Sequence, residues 1–485
     1  MDQNNTEKLK KGNKYKRLLS NTAVLGIGVF ASKFLVFLMM PFYTRVLSPG
    51  EYGSADLISQ TANLLIPLAC VGITDGIFRF AMDKDGDKRQ VLSSGLFVLL
   101  LSSILFCLLS PLIGLADYFR SYVLLIVAYV LSANLHSVCA QYMRACGRTK
   151  LFAFQGILNT ALVIGLNIFF LVALRMGIVG YVLSVVVSDF VISLLLIFSF
   201  GLYKQIGARF VDKELIKKLL KYSIPMIPAT VFWWITSVSD RYMVTYFCGD
   251  AVNGLYTAAY KIPTLLTLLS TVFMEAWQYS AVTEDDGAEE GTVRVNFFSK
   301  VFNSYQALVF TACSAIVALS QVFITVLCAE SYFEAWRFIP VLTLSAVFSG
   351  LTSFLGSVYL LKKKSILTLL TSMAGAATNL VLNLFLIPSM GAQGAGVATL
   401  ASYFIVFVIR AVNTKKYLSF STHTPRIIIN VILISAQTVL LLLLPEYIIL
   451  TQALAFGAVI AVNILPLWSE VKGIIGALLK KMKKQ

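Results

Sequence analysis

Residues 166–190, LNIFFLVALRMGIVGYVLSVVVSDF, decide the reading of the fold: they are two apolar runs joined at Arg175–Gly177, and their pattern returns. The second copy is LNLFLIPSMGAQGAGVATLASYF at 382–404, at a shift of about 214–216. Asn167 falls on Asn383, Gly177 on Gly391, Gly180 on Gly394 and Ser188 on Ser402. An earlier stretch repeats too: EYGSADLISQ at 51–60 aligns with VNGLYTAAYK at 252–261, placing Gly53 on Gly254. About 20 apolar residues cross a bilayer as a helix, so the repeats are bundles of membrane spans. Each copy holds an even number of spans, about six, which makes the two copies parallel, related by an axis along the membrane normal.

The whole chain shares this character. Its 485 residues are 58% hydrophobic and 13% charged, with a mean hydropathy of +0.80. Soluble domains carry about 25% charged residues, so the polar surface that water demands is missing, and a disordered chain is excluded by the same numbers. The 40 Lys+Arg against 24 Asp+Glu leave a formal charge of +16. In a soluble protein that balance points to nucleic acid. In a bilayer it marks basic cytoplasmic loops facing anionic lipid, and no nucleic-acid partner is expected. The seven cysteines are scattered without a C-x-x-C pair, and the two histidines, His136 and His423, lie far apart. Buried thiols are expected, with no disulfide framework, metal or cofactor.

Candidate spans run 21–43, 55–80, 91–115, 121–143, 151–174, 177–200, 222–247, 253–280, 297–328, 335–361, 365–388, 391–412, 426–444 and 447–467. The basic stretch before the first span resembles a signal peptide, but the apolar run continues for about 20 residues without a small-residue cleavage site and reads as a retained helix. With the N-terminus inside, the Lys and Arg residues concentrate on inner segments. Only Arg45, Arg120, Arg175 and Arg337 fall outside, and Lys33, Arg241 and Lys261 fall within spans. That alternation supports both termini being cytoplasmic. The expected organisation is a basic N-terminus at 1–20, an N-lobe of six spans at 21–203, a linker at 204–221, a C-lobe of six spans at 222–416, two further spans at 417–470, and a basic tail at 471–485. The linker contains FVDKELIKKLLKYSIP, which reads as an interfacial amphipathic helix. The loop TEDDGAEEGTVR at 283–294 reads as solvated. The span 297–328 is too long for one straight crossing and implies a cytoplasmic extension.

Polar side chains within the spans carry the functional reading. On the eighth span, Asn253, Tyr256, Tyr260, Thr264, Thr267, Thr271, Glu275 and Gln278 share an arc of about 100°. The second span matches it with Tyr52, Asp56, Ser59, Gln60, Asn63, Pro67 and Thr74. Such stripes line water between the lobes or bond to other helices. Lys33 lies about 15 Å from either end of its span at 1.5 Å per residue, too deep for easy snorkelling. Arg241 and Lys261 lie nearer the outer face, where snorkelling or a structural ion pair competes with function. Arg241 shares a face with Ser237, Trp234 and Thr230, a surface suited to sugar or phosphate. Asp240 is its neighbour, but adjacent residues on a helix point about 100° apart. Glu275, at the inner end of the eighth span, reads as a proton or cation site or as the counter-charge to a basic lumen. Arg79 and Asp75 sit at the inner end of the second.

Three stretches, FYTRVLSPGEYGSADLI, DRYMVTYFCGDAVNGLYTAAYKI and NLVLNLFLIPSMGAQGAGVATLASYF, resemble the bacterial polysaccharide transporters, the flippases of lipid-linked oligosaccharides, in the superfamily that also holds lipid II flippases and multidrug extrusion transporters. The resemblance spans nearly the whole chain. It implies two six-helix lobes around a central cavity, a trailing pair of helices, and alternating access for an undecaprenyl-pyrophosphate-linked glycan in a bacterial cytoplasmic membrane. Glycosyltransferases and a polysaccharide polymerase would be its partners. The basic cavity of the relatives would be met here by Lys33, Arg241 and Lys261, with Arg45 at the outer mouth, while Gln60 stands where a relative would place a cation. The remaining expected substrate contacts are Asn63, Trp234, Tyr260, Thr264 and Glu275. A lipid II flippase shares this chemistry. A multidrug or cation antiporter shares the fold and would use acidic groups such as Asp189 and Glu275. A membrane glycan polymerase would need a large external loop, and every outer loop here is short. No G-x-x-x-x-G-K-[ST] motif occurs, so transport would draw on an ion gradient, the membrane potential or removal of the product.

Overall fold

A computed structural model describes residues 35, 37–83, 86–198, 201–283, 292–362, 364–444 and 447–482. Among these residues there is no strand, and the chain runs through α1 (Met40–Val46), α2 (Pro49–Ala69), α3 (Ile73–Ala81), α4 (Lys88–Leu109), α5 (Val123–Ala145), α6 (Thr149–Ile168), α7 (Gly177–Phe198), α8 (Lys213–Ser223) and α9 (Ile227–Cys248). It continues through α10 (Asp250–Lys261), α11 (Thr264–Thr283), α12 (Thr292–Ala318), α13 (Ser320–Leu327), α14 (Ile339–Leu361), α15 (Ser365–Met390), α16 (Ala392–Thr414), α17 (Thr424–Leu443) and α18 (Ile448–Met482).

Nine helices among the described residues are long and apolar enough to cross a membrane, and α2 with α3 makes a tenth, bent by 58°. The other expected crossings are helical too: α9, the pair α10 and α11, and α18. The first span is described only near its C-terminal end, at α1. The chain is therefore an all-helical polytopic membrane protein of about fourteen spans.

Packing divides the chain into two compact units, 1–234 and 235–485. In the first, α2 begins with a capping box: Ser48 accepts from the Glu51 amide while Glu51 accepts from Ser48, and Pro49 occupies the first turn. Each side chain satisfies an amide that the helix leaves unpaired. The bend between α2 and α3 comes where Val71 and Gly72 take φ of 52° and 65°. Asn134 of α5 donates to the Ile66 carbonyl beside the bend, at 3.2 Å.

The linker holds the amphipathic helix α8. Asp212 caps α8 by accepting from the Glu214 and Leu215 amides. The apolar face of α8 packs on protein: Leu219 is fully buried, with Leu215, Ile216 and Leu220 packed on the same core as Ile73, Ile77 and Leu92. Gly76 permits this docking, since a Cβ there would meet the Ser223 hydroxyl at 2.5 Å.

The internal repeat reappears in individual hydrogen bonds. Asn167 donates to the Val163 carbonyl, four residues back, and Asn383 donates to Asn379, also four back. Ser188 donates to the Asn159 carbonyl across α6 and α7, and Ser402 to the Gly375 carbonyl across α15 and α16. Gly177 and Gly391 take φ of 52° and 62° at matching turns. Gly180 and Gly394 then let each second helix approach the end of the first. The two copies share their joints as well as their apolar pattern.

Two spans are broken where a single helix is expected. Pro263 lacks an amide hydrogen and its ring clashes with the preceding turn, so the eighth span divides into α10 and α11 at Ile262–Pro263. The long ninth segment divides at Leu319 into α12 and α13, near its C-terminal end. Buried amides hold the trailing helices to each other and to α12. Asn430 and Asn463 exchange hydrogen bonds at 3.1 and 2.7 Å, and Gln437 bonds Ser314 of α12 at 2.7 and 3.0 Å. Isolated amides are costly in apolar surroundings and pair across helices.

Candidate functional site

The proposed substrate residues divide between the two units. In the first, Arg45 is exposed in the last turn of α1. Gln60 is half-buried on α2, its amide donating to Asp56 at 3.4 Å, and Asn63 is exposed one turn further. The Trp234 indole donates to the Gln60 carbonyl at 3.1 Å, which ties the start of α9 to the middle of α2. Lys33 lies outside the described residues, as does the acidic loop at 284–291.

In the second unit, α9 and α10 bring an aromatic and ionic cluster together. The Tyr256 hydroxyl donates to Asp240 at 2.7 Å, and the Asp240 carboxylate also accepts from the Arg241 amide at 2.9 Å. The Arg241 guanidinium lies over the Tyr260 ring, 5.0 Å from its centroid. Tyr256 and Tyr260 follow one another along α10 at 6.2 Å, and Phe338 packs edge-on against Tyr256. Asp240, Arg241 and Tyr256 are buried, while Tyr260 keeps some exposure. A desolvated cation over an aromatic face is held by the ring's negative quadrupole.

The break at Pro263 shapes the next part. The Thr264 hydroxyl donates to the Lys261 carbonyl at the interrupted turn. Lys261 is half-buried at the last residue of α10. The polar stripe of the eighth span therefore has two parts. Asn253 and Tyr256 are fully buried in protein, whereas Thr267 and Thr271, beyond the break, are exposed. Glu275 lies on α11, and its side chain is outside the described residues.

Thr267, Ser270 and Thr271 of α11 line a groove of about 310 Å³ with Ser349, Gly350 and Ser353 of α14. Thr267, Thr271 and Ser353 donate to carbonyls of their own helices at 2.8–2.9 Å. Their oxygen lone pairs are left to accept from a ligand. Tyr305 lies beside Gly350, stacked between Phe273 and Phe354. The groove carries hydroxyls without a formal charge among its lining residues, which suits a polyhydroxylated ligand. Thr267 and Thr271 were visible in the stripe. Ser349 and Ser353 were not singled out, although their spacing of four matches that of Thr267 and Thr271.

Residues 18–277 match the family described as Polysaccharide biosynthesis protein. No curated protein matches the chain. Among solved structures, the lipid II flippase MurJ in an inward closed conformation superposes with a TM-score of 0.67 at 15% identity, over 93% of this chain and 100% of that one. A multidrug resistance MATE family transporter of the MOP superfamily gives 0.56 at 17% identity in its inward-facing conformation, over 81% of this chain and 94% of that one. Its outward-facing conformation gives 0.56 at 16% identity, over 82% and 95%. At these identities the likeness is one of fold.

Proposed function

Because the chain belongs to the polysaccharide biosynthesis protein family, we propose that it is a flippase, not an enzyme, carrying a polyprenyl-pyrophosphate-linked oligosaccharide across the bacterial cytoplasmic membrane by alternating access. One observation carries this reading: every substrate residue expected from the sequence, from Lys33 to Glu275, lies within the matched stretch 18–277. The flippase-type transporter fold supports it.

The chemistry follows from the cargo. A pyrophosphate cannot cross about 30 Å of hydrocarbon without replacement of its hydration. Arg241, held on Tyr260, and Lys261 supply positive charge from the successive helices α9 and α10, with Lys33 and Arg45 as further cations. Arg binds phosphate oxygens through paired N–H groups. The hydroxyls of α11 and α14 offer acceptors to sugar, and the polyprenyl tail stays in lipid. Gln60, Asn63, Trp234 and Thr264 complete the polar surface. Both termini face the cytoplasm in this reading, and the glycosyltransferases and polymerase that make and consume the cargo are its partners. The MurJ match favours lipid II as the second reading, since it shares the anionic headgroup.

Depleting the protein in its own cells and extracting polyprenyl lipids tests the proposal. Accumulation of an oligosaccharide-bearing pyrophosphate lipid, with loss of surface polymer, is expected. Accumulation of lipid II instead would select the second reading, and an unchanged lipid pool would overturn both.

A further inference from the structure

A polar network inside the first unit plays no part in the site above. His136 of α5 lies between Asp189 of α7 and Gln155 of α6: Nδ1 is 3.0 Å from an Asp189 carboxylate oxygen, and Nε2 is 2.7 Å from the Gln155 Oε1. The same Asp189 oxygen accepts from the Asn159 amide at 2.9 Å, and Asn159 in turn takes the Ser188 hydroxyl on its own Oδ1 at 2.5 Å. With the Gln155 amide turned this way both atoms facing the imidazole are acceptors, so both ring nitrogens donate, and a ring that donates twice carries a proton and a positive charge.

The position makes that charge consequential. His136 lies nine residues from the inner end of α5, about 13 Å at 1.5 Å per residue. The His136 and Asp189 side chains are 15% and 8% exposed, so the ring keeps narrow access to a proton while the carboxylate is nearly enclosed. Ionisable groups at such depth are costly and mark function by default. The surroundings add little competing charge. On α5, Tyr129 acts on Asp189, and Arg144 is stacked on Phe78 and Phe152. From α2, Asp56 acts on Tyr181 of α7. Asp75 and Arg79 of α3, Lys88 and Arg89 of α4 and Lys150 of α6 lie at or near the inner ends of their helices, with Arg79 bonded to Asp83. Asp117 and Arg120 pair with each other before α5. Among the described residues, only Asp189 acts on the imidazole as a charge.

We propose that His136 and Asp189 form a proton-binding site, filled in this conformation as an imidazolium–carboxylate pair, whose emptying loosens α5 from α7 during transport. On emptying, the Nε2 proton leaves to water and the ring keeps its Nδ1–H toward Asp189. Gln155 then turns its amide over, so that its N–H donates to the bare Nε2. No heavy-atom bond changes, and one positive charge leaves the unit. The ion pair that held the two helices becomes a hydrogen bond from a neutral ring to the Asp189 carboxylate, weaker for the loss of the ring's charge. The proton gradient is thereby the energy source that this site can read.

The chain has two histidines, which makes a direct test available. In full-length His423→Asn protein, with [15N]histidine incorporated and the protein reconstituted in lipid, His136 is the single labelled ring. Solid-state 15N spectra at pH 7 should show two protonated nitrogens, and in the added Asp189→Asn variant one of them should become bare. In cells, His136→Gln, which keeps hydrogen bonding but takes no proton, should unfold within a few degrees of the parent and lose surface polymer at least tenfold. One bare nitrogen at pH 7 in the parent overturns the filled site. Undiminished export from folded His136→Gln protein overturns its role in transport. The spectra depend on the native His136 and so decide the first point even where the His136 variant does not fold. The cellular arm rests on the proposed polysaccharide cargo, whereas the spectra do not depend on which lipid-linked cargo is carried.

Discussion

The Tyr256 hydroxyl donates to the Asp240 carboxylate at 2.7 Å, joining α10 to α9 with both side chains buried. A hydrogen bond to a charged acceptor contributes about 1.5–3 kcal/mol. Tyr256→Phe keeps the ring and its packing on Phe338, and removes only the donor. The purified variant is expected to be less stable by about 2 kcal/mol, read as a lower unfolding midpoint in detergent. An unchanged midpoint would mean that another donor replaces the hydroxyl.

The Arg241 guanidinium over Tyr260 makes a different demand, because the ring face matters and the hydroxyl does not. Tyr260→Phe should therefore preserve polymer export. Tyr260→Ala should reduce it by roughly tenfold or more, the scale of a desolvated cation–π contact of about 2 kcal/mol. Arg241→Lys should fail to restore export, since an ammonium offers no planar fork for phosphate. Equal export from Tyr260→Phe and Tyr260→Ala would remove the stacking from the account.

Much of this was legible because membrane spans advertise themselves. Fourteen apolar segments, their alternating loop charges and the repeat at Asn167/Asn383 and Gly180/Gly394 follow from composition and spacing, and the hydrogen bonds keep the same pairings. The breaks were less legible. Pro263 was in view as one residue of an apolar run, and nothing in the run itself says whether a proline kinks a helix or ends it. The docking of α8 was hidden for a related reason: an amphipathic pattern says that one face seeks apolar contact, and lipid and protein satisfy it equally. The His136–Asp189 pair was invisible because its members lie 53 positions apart on two spans. Only the packing of α5 against α7 brings them together.

The joint between α15 and α16 should be the less forgiving of the two repeated joints. A Cβ on Gly394 would fall inside contact distance of the Leu386 carbonyl and lie 2.9 Å from the Ile387 amide, both backbone. A Cβ on Gly180 would meet Met176 and Phe170 at 3.0–3.3 Å. Overpacking costs about 1–3 kcal/mol, and more where backbone must move. Gly394→Ala should sharply reduce folded protein in the membrane, and Gly180→Ala should do so mildly. Fluorescence-detected size-exclusion of tagged variants checks the order.

The hydroxyl groove between α11 and α14 offers a test that leaves the cations untouched. Ser349→Leu places an apolar side chain in a groove of about 310 Å³ lined by Thr267 and Thr271. Ser349→Ala removes a hydroxyl and adds no bulk. Export is expected to fall severely in the first and only a few-fold in the second, with both proteins folded. Full export from the leucine variant would exclude the groove from the path of the glycan.

His423 lies outside the spans and combines two costs that one substitution removes. It precedes α17 with φ 45° and ψ 46°, left-handed geometry that Asn adopts more readily than His, and its side chain makes no cap hydrogen bond. Burial, and then the charge of nearby Arg426, hold its imidazole below the ordinary range. A depressed base resists protonation in the fold, so the stability of its neutral form is present above about pH 6.5, the unfolded value. That stability is lost as the pH falls through the folded value, because the unfolded chain takes the proton first. His423→Asn should raise the unfolding midpoint at pH 7 by the equivalent of about 0.5–1 kcal/mol. The gap between variant and parent should widen toward pH 5, where only the parent carries this imidazole. A constant gap would mean that the ring does not titrate differently in the fold.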